Sequence, residues 1–220
     1  MAWYEFADRR EAGRALAGLL EQYANRADVV VLALPRGGVP VGFEIASALK
    51  VPLDVIVVRK IGVPYHRELA MGAVARGGIY TVNRDVVDAL GISNDDFLAT
   101  MHEEFEELRR RETLYRQGRP SPNLTGKIVI LVDDGLATGS SMRAAIDAVR
   151  AQKPAKVVVA VPIAPIEARE ELLQLADEVI CAYTPRPFIA VGAHYRNFGQ
   201  VGDLEVAELL EKARSTGAAA

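Results

Sequence analysis

The residues best suited to chemistry stand together between positions 133 and 141. Two carboxylates, Asp133 and Asp134, directly follow the apolar run 128–132, and a loop of small residues then opens a helical pattern. Small residues let backbone N–H groups approach a phosphate, and the dipole at a helix N-terminus favours its negative charge. Adjacent carboxylates repel, so helix capping alone explains one of them better than both. A carboxylate pair can accept hydrogen bonds from a vicinal diol, and the segment therefore predicts a site for a phosphorylated sugar.

Apolar runs that alternate with helical patterns indicate how this segment is positioned. Near-continuous Val and Ile runs predict strands buried on both faces of a parallel sheet, joined by right-handed crossovers. We expect strands at 28–34, 53–58, 128–132, 156–161 and 178–181, helices at 8–24, 39–50, 93–117 and 166–175, a hairpin of 70–75 with 79–82, and a loop at 59–69. The predicted fold is α/β, a Rossmann-like parallel sheet flanked by helices on both faces, with ligands beyond the carboxyl ends of its strands.

Length and charge narrow the class of protein. The 220 residues predict one domain with a core at about 28–182, a small hood from the N-terminal segment and 183–202, and a C-terminal helix and tail at 203–220. The net charge of −3 makes nucleic acid an unlikely partner, and no apolar stretch reaches the roughly 20 residues that span a bilayer. A single cysteine, Cys181, and the absence of a signal peptide lead us to expect a cytoplasmic protein.

The segment Asp-Asp-Gly-Leu-Ala-Thr-Gly-Ser-Ser at 133–141 resembles the signature of the type I phosphoribosyltransferases, which use 5-phosphoribosyl-1-pyrophosphate (PRPP). The resemblance implies that Asp133 and Asp134 hold the ribose hydroxyls and take part in catalysis. It implies a 5-phosphate site at Ala137, Thr138, Gly139, Ser140 and Ser141, and the hydroxyls could also cap the helix, since both roles concern the same backbone N–H groups. Mg²⁺ would lie near the two carboxylates, bound mostly through ligand oxygens and water and without need of a direct protein ligand.

The resemblance also implies a pyrophosphate site and a lid. The family has a short pyrophosphate-binding loop after the first core strand, often with a cis non-proline peptide, where this chain has Arg36, Gly37 and Gly38. Lys60 ends the second predicted strand, where a basic residue of the family often contacts pyrophosphate and assists catalysis. Residues 61–72 occupy the place of the mobile lid that excludes water from the reacting sugar. Tyr65, His66 and Arg67 could close over pyrophosphate, or this segment could be an ordinary surface loop.

A variable hood recognises the acceptor in this family. Phe188, Tyr195 and Phe198 are acceptor candidates here, because aromatic faces stack on flat rings. Val191 of the same segment is a further candidate, and the alternative is that these residues form the core of the hood. Ala137 stands where members acting on hypoxanthine or guanine typically have Asp, so the pattern is closer to the adenine and uracil types. The acceptor itself stays open.

The function implied by the resemblance is transfer of the 5-phosphoribosyl group to a small-molecule nitrogen acceptor, as in nucleotide metabolism and salvage. A PRPP-sensing regulator without transferase activity is the alternative, and no helix-turn-helix or basic tract favours it. A relative of PRPP synthetase would be expected to have a second, repeated domain. The amphipathic helices at 8–24 and 93–117 are compatible with a homodimer.

Overall fold

The computed structural model describes residues 5–75 and 78–216, with residues 67 and 68 described in their backbone only. The helices are α1 (Arg9–Leu19), α2 (Gly38–Leu49), α3 (Arg84–Ala89), α4 (Asn94–Arg116), α5 (Ser140–Arg150), α6 (Ile166–Leu172) and α7 (Asp203–Thr216). The strands are β1 (Val29–Ala33), β2 (Leu53–Val55), β3 (Val58–Val63), β4 (His66–Ala75), β5 (Ile79–Val82), β6 (Ile128–Val132), β7 (Lys156–Ile163) and β8 (Glu178–Tyr183). No helix of this described part is both long and apolar enough to cross a membrane.

The central sheet confirms the predicted α/β fold. Its five strands are all parallel, in the order β2-β1-β6-β7-β8. The chain runs outward from β1 to β2 on one side and from β6 through β7 to β8 on the other. The order therefore reverses between β1 and β6, and in open α/β sheets a ligand crevice forms at such a point, beyond the carboxyl ends of the strands.

Alternate residues of the central strands enter two separate cores, one on each face of the sheet. On β1, Val29 and Val31 pack into one core, while Val30 and Leu32 pack into the other. Helices α1, α2, α4 and α7 cover the first face, and α5 and α6 cover the second. Burial on both faces explains why these strands are continuous apolar runs without alternation.

The segment after β2 corrects two predictions. The run 53–58, predicted as one strand, divides into β2 and the start of β3, which belongs to a separate antiparallel sheet in the order β3-β4-β5. Residues 59–69, predicted as a loop, form most of β3, a turn and the start of β4. Pro64 and Tyr65 make the turn, and Tyr65 has a φ of +66°. The sequence did not indicate these strands, because the tip of the hairpin is polar and exposed and an exposed tip needs little apolar surface.

Other boundaries differ in detail. The predicted helix 8–24 ends at Leu19 and continues as a 3₁₀ turn, Glu21–Tyr23. The predicted hairpin of 70–75 with 79–82 is confirmed, with its first strand extended back to His66. The predicted N-cap of the long helix is also confirmed, since the backbone N–H of Asp96 donates to Ser93 Oγ at 3.1 Å. Helix α3 was missed because it is six residues long and none of them is buried.

A buried ion pair joins the long helix α4 to the edge of the central sheet. Arg116 Nε donates to Asp54 Oδ1 at 3.1 Å, and its Nη2 donates to the Val55 carbonyl at 2.7 Å. Both charged side chains are almost fully buried, so each compensates the desolvation of the other. This contact fixes the end of β2 and with it the start of the antiparallel hairpin.

Candidate active site at the switch point of the sheet

The acidic pair and the loop after β1 are in direct contact. The backbone N–H of Leu34 donates to the Val132 carbonyl at 2.8 Å, which aligns the ends of β1 and β6. A Cβ atom added to Gly37 would lie 1.9 Å from Asp134 Oδ2, and one added to Gly38 would lie 2.9 Å from the Asp133 Cα. Any larger residue at either position would therefore require its neighbours at the strand end to shift. The Pro35–Arg36 peptide bond is cis, as the family resemblance predicts for this loop.

The loop of small residues leads directly into α5. Gly139 is the N-cap of this helix and has a φ of +70°, a left-handed conformation that favours glycine. The hydroxyls of Thr138 and Ser140 hydrogen-bond to each other at 2.8 Å. The first N–H groups of a helix lack intrahelical partners, so Ser140 and Ser141 present donors at the helix end. This arrangement suits an anion, as the sequence predicts for residues 137–141.

The two carboxylates of the pair have different surroundings. Removal from water raises the pKa of Asp133 well above its usual range, and the charge of Asp134 raises it further. The backbone N–H of Asp134 donates to Asp133 Oδ1 at 2.8 Å and partly offsets this effect. Asp134 instead accepts a hydrogen bond from Arg9 Nε at 2.7 Å. The pair thus consists of one carboxyl that resists ionisation and one carboxylate with a cationic partner.

Arg9, at the start of α1, is a site residue that sequence analysis missed. Besides its bond to Asp134, its Nη1 donates to the Gly199 carbonyl at 2.8 Å, and its guanidinium lies 3.8 Å from the centre of the Phe198 ring. The partners Arg9 and Asp134 are 125 residues apart in the chain. No spacing motif could reveal such a contact; only the prediction that the N-terminal segment joins the hood pointed in this direction.

Arg36 also has a partner that the sequence did not reveal. Its Nη1 lies 3.7 Å from Asp203 Oδ1 at the start of α7, and the same oxygen accepts a hydrogen bond from the Tyr115 hydroxyl at 2.7 Å. Burial, followed by this hydrogen bond, raises the pKa of Tyr115 to about 12. Asp203 therefore bridges the buried end of α4 and the basic side chain of the loop after β1.

A cavity of about 480 Å³ lies between these groups and the hood, lined by Arg9, Arg36, Gly37, Asp134, Phe198 and the segment 199–201. It is large enough for a small ligand.

Three residues predicted to contact pyrophosphate or form the lid, Lys60, Tyr65 and His66, are not among the described residues that line this cavity. Lys60 is exposed on β3, and Tyr65 is fully exposed at the hairpin turn. The side chain of Arg67, the third proposed lid residue, lies outside the described residues.

The segment 183–202, predicted as part of the hood, contacts the acidic pair through Tyr195. Its hydroxyl donates to the Asp134 carbonyl at 2.6 Å, and burial and the nearby charge of Asp134 raise its pKa. The ring is buried, 5.9 Å from the Phe6 ring and stacked 5.0 Å from the Phe198 ring. Phe198 in turn contacts Arg9. Tyr195 thus supports the strand end from within the hood core, which matches the alternative considered for the aromatic residues.

The other two acceptor candidates lie on the same hood segment. Val191 packs against the signature loop, because a Cβ atom added to Gly135 would lie 2.5 Å from Val191 Cγ1. Phe188 is half-buried and stacks on the His194 ring at 6.0 Å. Val191 therefore packs against the loop 133–141, whereas Phe188 packs against His194 within its own segment.

The raised pKa of Asp133 has a consequence for stability that can be measured. A carboxyl with a raised pKa in the folded state contributes stability that is present at acidic pH and is lost as the pH rises through that raised value. We expect Asp133→Asn to unfold at a higher urea concentration than the native chain at pH 8, with a smaller difference at pH 4. Equal urea midpoints of the variant and the native chain at both pH values would contradict the raised pKa of Asp133.

Comparison with known proteins agrees with this arrangement. A family model for the phosphoribosyl transferase domain matches residues 3–195, which is most of the chain. The chain therefore belongs to the phosphoribosyl transferase domain family, and the parallel sheet with the acidic pair at its switch point is the fold expected of that family.

Individual relatives are similar over almost the entire chain. Two Mycobacterium tuberculosis proteins, from strains CDC 1551 and H37Rv, carry the provisional name phosphoribosyl transferase and are each 48% identical over 208 residues, which is 94% of this chain and 47% of theirs. The chain thus spans about half the length of these curated relatives. The crystal structure of TT1426 from Thermus thermophilus superposes with a TM-score of 0.83 at 42% identity and covers 94% of this chain and 98% of its own.

Proposed function

We propose that this protein transfers the 5-phosphoribosyl group from PRPP to a nitrogen atom of a small-molecule acceptor and releases pyrophosphate. The observation that carries the proposal is the contact of Gly37 and Gly38 with the acidic pair, Asp133 and Asp134, at the switch point of the sheet. A sugar held by the pair would have its anomeric carbon beside the loop after β1. It would also have its 5-phosphate toward the N-terminus of α5.

Each part of PRPP has a matching set of groups in this arrangement. The N–H groups and hydroxyls of 137–141 would bind the 5-phosphate. Asp134 and Asp133 would accept hydrogen bonds from the ribose hydroxyls, and a carboxylate there stabilises positive charge that develops on the sugar. Arg36, with the N–H groups of Gly37 and Gly38, would bind pyrophosphate, and Lys60 would assist from β3.

The reaction is a displacement at the anomeric carbon with inversion. The acceptor nitrogen donates its lone pair to form the new C–N bond on one face of the sugar. The C–O bond to pyrophosphate breaks on the opposite face, and pyrophosphate leaves with that electron pair. The proton released from the acceptor nitrogen passes to solvent or to pyrophosphate. No covalent enzyme intermediate is required.

We propose that Mg²⁺ accompanies PRPP. Within residues 5–75 and 78–216, no cluster of three or more His, Cys, Asp or Glu could hold a metal ion, and the site itself offers two carboxylates. Mg²⁺ retains several waters and accepts substrate phosphate oxygens, so a pair of carboxylates near the ribose fits this mode of binding. When bound, it would neutralise the charge of the leaving pyrophosphate.

The lid is also a proposal. The hairpin of β3 and β4 places Tyr65 and His66 at an exposed turn, and Arg67 follows them. Movement of this turn over bound pyrophosphate would exclude water and limit hydrolysis of PRPP.

Pyrophosphate release from PRPP and Mg²⁺ tests the function. The acceptor panel should include adenine, guanine, hypoxanthine, xanthine, uracil, orotate and several amines, with the Asp133→Asn/Asp134→Asn double variant as control. We expect release that depends on one class of acceptor and is lost in the double variant. PRPP binding without release for any acceptor would favour a PRPP sensor, and the absence of both would overturn the proposal.

A further inference from the structure

Arg9 makes three contacts that together hold its guanidinium in one place. Nε bonds to Asp134, Nη1 bonds to the Gly199 carbonyl, and the guanidinium lies over the Phe198 ring. The Arg9 side chain is only 12% exposed. A surface arginine is normally solvated on most sides and mobile. Arg9 is instead restrained by three contacts and is an ordered part of the site.

The other arginines of α1 differ clearly from Arg9. Arg10 and Arg14 both pair with Glu44 on α2, at 3.2 and 3.5 Å, and their side chains are 43% and 59% exposed. Exposed pairs of this kind contribute little. The partner of Arg9, in contrast, is the carboxylate at the end of β6, and Arg9 is also the residue through which α1 and the segment 198–199 contact that carboxylate.

We propose that Arg9 is a positioning residue for PRPP: it holds the Asp134 carboxylate in the orientation that receives the ribose hydroxyls. Its Nε occupies one side of Oδ2, which leaves Oδ1 and the remaining lone pairs to the sugar. Phe198 and the Gly199 carbonyl hold the guanidinium in place, so helix α1 and the segment 198–199 together determine the orientation of the Asp134 carboxylate. This inference rests on the proposed function, since it concerns the binding of the same substrate.

A double-mutant cycle measured by calorimetric titration with PRPP tests this role. The variants are Arg9→Gln, Asp134→Asn and the combination, with Arg14→Gln as the matched control on the same helix. Loss of a hydrogen bond to a charged group corresponds to about a tenfold change, so we expect Arg9→Gln to weaken PRPP binding by about that factor. In the Asp134→Asn background, Arg9→Gln should weaken PRPP binding by less than about threefold, because the carboxylate that Arg9 orients is gone.

The possible outcomes separate this role from a purely structural one. An equal loss in both backgrounds, or an Arg9→Gln affinity like that of Arg14→Gln, would overturn the positioning role. If Arg9→Gln does not fold, Arg9→Lys replaces it; lysine keeps the charge but cannot make both contacts, and an unchanged affinity would then overturn the inference. A native chain that does not bind PRPP would instead overturn the proposed function.

Discussion

Replacement of Asp134 by asparagine should lower turnover about 100-fold or more, the effect typical of removing one group that stabilises charge in a transition state. Asn keeps the size of the side chain, but it removes the negative charge beside the developing ribosyl cation. The main-chain carbonyl that accepts from Tyr195 is unaffected. We therefore expect the fold to survive while the reaction slows.

Turnover at saturating PRPP and acceptor measures this effect, because it separates the chemical step from binding. Thermal unfolding of the same sample provides the control for the fold. Turnover equal to that of the native chain would remove the role of Asp134 at the ribosyl cation. A loss of activity that merely follows a loss of folded protein would contradict the account equally.

Gly37→Ala should reduce kcat/KM by about 100-fold, since a misplacement of about 1 Å in a catalytic group can have this effect. The new Cβ would lie 1.9 Å from Asp134 Oδ2, the oxygen that accepts the bond from Arg9. The backbone of Gly37 has a φ of −61°, which any residue adopts, so the substitution acts by steric overlap alone. The carboxylate is the group that must move, and its orientation for the sugar would be lost.

Two further glycine variants sharpen this prediction. Gly18→Ala on α1 meets no atom within 4 Å and should leave activity unchanged. Gly38→Ala would place its Cβ 2.7 Å from the Val132 carbonyl, which is backbone and cannot turn aside, so its main effect should be on stability, about 1–3 kcal/mol. A Gly37→Ala enzyme as active as Gly18→Ala would show that Asp134 need not occupy its observed position.

The parts of the fold that could be predicted from sequence are those with a local signal. Strands β1 and β6 are continuous apolar runs because both faces are covered, and the signature loop combines small residues with two carboxylates in an order that few other structures require. The position of both loops beyond the carboxyl ends of the strands also followed from the predicted parallel sheet.

The parts that could not be predicted depend on distant contacts. The pairing of Arg9 with Asp134 and of Arg36 with Asp203 joins segments far apart in the chain, and the local sequence around each arginine is that of an ordinary helix start or turn. The hairpin of β3 and β4 was hidden for a different reason. Its tip is polar and exposed, so the usual alternation of apolar and polar residues is weak there.

Direct binding of PRPP tests the central claim most simply, because both a transferase and a sensor need it. Calorimetric titration of the native chain with PRPP and Mg²⁺, beside the Asp133→Asn/Asp134→Asn double variant, requires no knowledge of the acceptor. We expect saturable binding by the native chain and a large loss of affinity in the double variant. Failure of the native chain to bind PRPP, or equal binding by the two proteins, would contradict the assignment of this site.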